Sequence, residues 1–171
     1  DYDAFITKYQ SDGTKSWTKL LGTWGYDDSR ALTTGLDGSI YVSGVTQSNL
    51  DGQTHSGGNF DAFITKYLSD GTKSWTKLFG FDLPGDLTSM TKGADGAIYV
   101  SGWTEGNLDG QVNSGGFDAF ISKFLPDGTK SWTQLLGSDS YENAYSMTTG
   151  ADGAIYVSGY TDGNLDGQTN S

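Results

Sequence analysis

Oxygen-bearing side chains spaced two apart recur at three places: Gln47-x-Asn49-x-Asp51-Gly52, Glu105-x-Asn107-x-Asp109-Gly110 and Asp162-x-Asn164-x-Asp166-Gly167. Ca²⁺ takes six to eight oxygens, alternate positions bring successive side chains around one centre, and the glycine permits the sharp turn, so the pattern matches the first half of a calcium loop. The closing glutamate of an EF-hand is absent: Gly58 and Gly116 stand there, with Asp61 three and Asp118 two residues on. A second reading is open. Asn-x-Asp-Gly also forms an Asx-type turn that needs no ion. Candidate ligands are therefore Asn49, Asp51, Glu105, Asn107, Asp109, Asp162, Asn164 and Asp166, with calcium the only cofactor they suggest.

Aromatic side chains supply a different chemistry. Val45, Trp103 and Tyr160 share one position in the recurring pattern, and Trp24, Phe81 and Ser138 lie within one residue of a second. Exposed rings beside Asp and Asn can stack on sugar faces, which makes Trp24, Phe81, Trp103 and Tyr160 candidates for glycan contact. Packing between neighbouring sheets accounts for them as well. Catalysis has little to draw on. His55 is the only histidine and there is no cysteine, so a nucleophilic triad would hang on one loop residue. The acid pairs Asp27-Asp28 and Asp82 with Asp86 read as a charged rim before they read as a hydrolase centre. The expectation is a non-enzyme.

These residues sit in a repeat. D-A-F-I or a close variant opens at Asp3, Asp61 and Asp118, steps of 58 and 57 residues, and Trp17, Trp75 and Trp132 keep the same steps. Each period holds four β-type segments. A first strand (around Ser29–Thr34, Ser89–Lys92 and Ser146–Thr149) runs to an Asp-Gly turn, and I-Y-V-S-G follows at Ile40, Ile98 and Ile155. A long polar loop leads to D-A-F-I-[TS]-K, then Asp12-Gly13, Asp70-Gly71 or Asp127-Gly128, then S-W-T. No segment keeps a 3.6-residue apolar period, so no helix is expected. The strands are labelled A to D in this order. The chain then reads CD, ABCD, ABCD, AB: half-unit 1–25, units 26–82 and 83–139, and half-unit 140–171. The Asp-Gly turns belong to one face, and the long B to C loops with the D to A connections belong to the other, where binding is expected.

The pattern D-G-x-I-Y-V-S-G-x-T, D-A-F-I-x-K, D-G-T and S-W-T resembles the bacterial SBBP-type β-propeller repeat over the whole chain. The resemblance implies an all-β propeller of four-stranded antiparallel blades within a large secreted or cell-surface protein. It implies no particular activity. Three blade equivalents, one of them split between the chain ends, fall short of the roughly 4–8 blades of most propellers, and a ring of three would bend too sharply to bury both faces of each blade. The chain is thus expected to pair with itself, its AB half completing the CD half of another copy, as a homodimer of six blades or a homotrimer of nine. The role that follows is a binding or structural scaffold, with a lectin-like sugar binder as the alternative.

Composition narrows the partners. Of 21 acidic residues only Glu105 and Glu142 are glutamates, which fits turns better than exposed helices, and the formal charge of −11 repels nucleic acid and anionic lipid. No apolar run approaches the roughly 20 residues of a spanning helix. A start at Asp1 reads as a piece of something longer.

Overall fold

A computed structural model describes residues 1–80 and 84–171. Twelve strands and, among the described residues, no helix make up the chain. They are β1 (Ala4–Tyr9), β2 (Lys15–Leu21), β3 (Asp27–Thr34), β4 (Ile40–Thr46), β5 (Asp61–Tyr67) and β6 (Lys73–Gly80) in the first half. The second half holds β7 (Gly85–Lys92), β8 (Ile98–Thr104), β9 (Asp118–Phe124), β10 (Lys130–Leu136), β11 (Glu142–Thr149) and β12 (Ile155–Thr161). Every ladder is antiparallel and joins consecutive strands, giving sheets β1-β2, β3-β4-β5-β6, β7-β8-β9-β10 and β11-β12.

The Asp-Gly turns work as their chemistry dictates. Gly13, Gly38, Gly71, Gly96, Gly128 and Gly153 all adopt positive φ, and the aspartate before each caps the backbone two residues on, as Asp37 accepts from the Ser39 N–H at 3.0 Å. A bulge falls at the same place in each A strand, leaving Arg30, Thr88 and Tyr145 unpaired. Opposite it stand Gly44, Gly102 and Gly159. A Cβ on any of these would lie 1.8–1.9 Å from the carbonyl oxygen of Asp28, Asp86 or Asn143, so the glycine of I-Y-V-S-G is a spacing requirement between strands.

The sheets stack in series. β7 packs against both β3 and β11, and β3 against β1. Three apolar cores lie between successive sheets, the middle one the largest and the last the smallest. Sheets two and three enclose Tyr41, Ile64, Phe79, Ile98, Phe120 and Phe124 among others. The first half-sheet and sheet two enclose Ile6, Leu21, Val42, Phe63 and Tyr67. Sheet three and the last half-sheet bury only Ala97, Tyr99 and Met147 together.

Matching mid-strand positions predict that the three repeated tryptophans are core residues, and the structure corrects this: Trp17 and Trp75 are half-buried and Trp132 is exposed. The reason lies in neighbouring sheets: the Gly71 turn sits over Trp17 and the Gly128 turn over Trp75 so closely that an added Cβ would come within 3.2 Å of the ring. Trp132 has no following C to D turn to cover it.

Candidate functional site

The three Asn-x-Asp-Gly loops are tight two-residue hairpins. Leu50 and Gln53 exchange both backbone hydrogen bonds, as do Leu108 with Gln111 and Leu165 with Gln168. Asp51, Asp109 and Asp166 take φ of 49–52° and the glycines after them 75–79°, the paired left-handed conformation of a type I′ turn. The asparagines face back into their own loops. Asn49, Asn107 and Asn164 each accept, through Oδ1, the N–H six residues ahead, on His55, Asn113 and Asn170. Asp51 turns the other way, pairing with Lys73 and accepting from the Thr76 hydroxyl on β6. Asp109 repeats this with Lys130 and Thr133 on β10.

Alternate side chains thus point to different places. Glu105 is half-buried beside β8, and Asp162 accepts the Tyr141 N–H at 2.8 Å, which holds its carboxyl below the usual range. Among the described residues no cluster of three or more His, Asp or Glu side chains is arranged to hold a metal. The geometry supports a clamp: Asp51 and Asp109 each tie the B to C loop to the D strand of their own sheet.

The aromatic candidates stand apart from one another. Trp24 is 81% exposed beside an open cleft lined by Thr23, Gln47, Ser48 and His55. Trp103 stacks on Phe117 with centroids 4.3 Å apart, and Phe117 in turn meets Tyr141 edge-on. Tyr160 lies on β12 against Tyr145. Phe81, like Asp82, lies outside the described residues. Asp86 is drawn into an ion pair with Arg30, which also holds Asp28, and burial raises the Asp86 carboxyl.

A second clamp joins strands B and C at the Asp-Gly end. Lys66 on β5 reaches Asp37 at 3.0 Å and lies over the Tyr41 ring, and Lys123 on β9 reaches Asp95 at 2.6 Å over Tyr99. The hydrogen bond from Lys123 lowers the Asp95 carboxyl. Each lysine thus neutralises the aspartate of the A to B turn of its own sheet.

Sequence reasoning missed a third clamp, because D-A-F-I looked like strand alone. The opening aspartate of the motif is buried: Asp61 accepts from the Ser56 N–H and hydroxyl at 2.7 and 2.6 Å, and Asp118 from the Ser114 N–H at 2.9 Å. The constant Ser-Gly-Gly before it was the available signal. Burial raises the Asp118 carboxyl above its ordinary 3.8, and nearby Glu142 adds to the rise. A raised folded-state value means that the folded chain holds the proton more tightly, so the stabilising contribution is full below the unfolded value and is lost as pH climbs through the folded one. Asp118→Asn keeps an acceptor for Ser114 and removes the charge. Its melting temperature is expected to exceed wild type at about pH 7 and to converge on it near pH 3.5. Thermal melts across that range check this; a constant gap would show that the charge is not the cause.

No family model matches the chain. It is similar to the regulatory protein FlaEY of Caulobacter vibrioides, 31% identical over 136 residues. The match takes in 74% of this chain and 14% of that protein.

Proposed function

We propose that the chain is a structural scaffold module that completes itself between copies, β11-β12 of one joining β1-β2 of another into a four-stranded blade. One observation carries this reading. Side chains at equivalent repeat positions are buried in the complete sheets and bare in the half-sheets: Tyr156 is 54% exposed where Tyr41 is 1%, and Phe5 is 63% where Phe63 is 0%. Tyr9 and Val157 follow the same rule. Fully burying such a side chain stabilises by about 1.5–3 kcal/mol, so covering several that are half exposed yields roughly 1 kcal/mol each. Bare strand edges add a row of unpaired backbone groups to the drive for association.

Two copies joined at both ends make a closed six-bladed propeller ring, and this is the assembly favoured here; three would make nine blades. The resemblance to secreted propeller repeats and the extracellular setting belong to the same reading. Light scattering on the 18.2 kDa chain is expected to give about twice that mass. A folded species at the single-chain mass across micromolar concentrations would reject it.

A further inference from the structure

Resting on the self-completing reading, we propose that the joint between copies has a fixed register and two defined ion pairs, Asp152 with Lys8 and Asp166 with Lys15 of a second copy, which make it a selective head-to-tail lock. The chain holds two finished examples of the joint it leaves open.

The ladder comes first. In β4-β5, Tyr41 faces Lys66 and Val42 faces Thr65; in β8-β9, Tyr99 faces Lys123 and Val100 faces Ser122. Moving one repeat on places Tyr156 opposite Lys8 and Val157 opposite Thr7 of the second copy. One residue of slip would turn every side chain to the wrong face, so the apolar pattern admits this register alone.

The charges agree with it. Both complete sheets carry an Asp-Gly turn aspartate paired with the strand-C lysine, Asp37 with Lys66 and Asp95 with Lys123. Asp152 and Lys8 are the separated members of a third such pair. Asp152 accepts from the Tyr156 hydroxyl at 2.8 Å, and among the described residues Lys8 makes only the neighbouring-sheet contact, to the Ser69 carbonyl. Lys66 makes both kinds, reaching Asp37 and the Pro126 carbonyl. The loop clamp divides in the same way. Asp51 holds Lys73 and Thr76, and Asp109 holds Lys130 and Thr133, whereas Asp166 is at one chain end and its counterparts Lys15 and Thr18 at the other. Thr18 shares its hydroxyl only with Thr7. Even the buried-aspartate clamp is split, since Ser171 holds the position of Ser56 and Ser114 while Asp3 holds that of Asp61 and Asp118. The joint also supplies the missing cover for Trp132, by bringing the Gly13 turn to where the Gly71 and Gly128 turns lie over Trp17 and Trp75.

Charge reversal tests the lock. One variant carries Asp152→Lys with Asp166→Lys, the other Lys8→Asp with Lys15→Asp. Each alone places like charges across its own joint and is expected to associate about 10- to 100-fold more weakly than wild type. Mixed one to one, they form a ring with one reversed and one native joint, and assembly returns. Variants that each assemble as well as wild type overturn the ion pairs while leaving self-completion standing; a wild-type chain that stays single overturns both. Because the reversed aspartates also cap turns, a cysteine pair decides the register separately in this cysteine-free chain. Thr7→Cys with Val157→Cys should give disulfide-linked multimers on oxidation, since facing Cα atoms lie within bridging distance. Lys8→Cys with Val157→Cys, on opposite faces, should not. Preferential linking of the second pair, or of neither in an assembled ring, overturns the register.

Discussion

Gly102→Ala is expected to cost about 3 kcal/mol or more and to lower the melting temperature by roughly 6–12 °C. Gly102 has no positive φ, so its backbone would accept any residue; space is what it lacks. The new methyl would sit 1.9 Å from the Asp86 carbonyl oxygen and 2.9 Å from the Phe120 ring. Neither neighbour can retreat cheaply, because Asp86 and Leu87 are laddered to Trp103 and Gly102, and Phe120 is enclosed in the largest core. Gly110→Ala is the informative contrast. Its φ is +79° with open space around the added methyl, so it should cost only the backbone strain of about 1–2 kcal/mol. Denaturant unfolding of both variants separates the two effects, and equal losses would mean that close strand approach is not what position 102 protects.

Phe63→Ala is expected to cost about 3–5 kcal/mol, as a fully enclosed aromatic ring does. Phe5→Ala deletes the same residue of the same motif, yet in the single chain its ring is mostly in water. Its effect on unfolding of the dilute, unassociated chain should therefore stay within about 0.5 kcal/mol. At concentrations where copies are joined, the loss should grow toward that of Phe63→Ala. Unfolding measured at low and high protein concentration reads this directly. A Phe5→Ala effect that is small at both would count against burial of the first half-sheet by another copy.

The strands were legible because I-Y-V-S-G and D-A-F-I combine β-branched and aromatic residues with Asp-Gly punctuation, and local preference agrees with the final pairing at each. The bulges at Arg30, Thr88 and Tyr145 were not legible. Three unlike side chains share the position, so nothing local marks it, and only the glycine opposite betrays it. The directions taken by the side chains of the Asn-x-Asp-Gly loops were not legible either. The left-handed turn at Asp109 sends its carboxylate toward Lys130 while Asn107 bonds its own loop. Which way a side chain leaves a turn depends on φ and on a strand some twenty residues away, and neither is visible in the motif.

Because every ladder between the named strands links neighbours in sequence, each sheet is assembled from hairpins, whereas the cores between sheets join residues of different repeats. Hairpins close in about 1–10 μs, so the sheets are expected to form ahead of the packing of one on the next. The self-completion proposed above would be a separate, bimolecular step. Refolding should therefore show a fast phase independent of concentration, followed by a slower one whose rate scales with it.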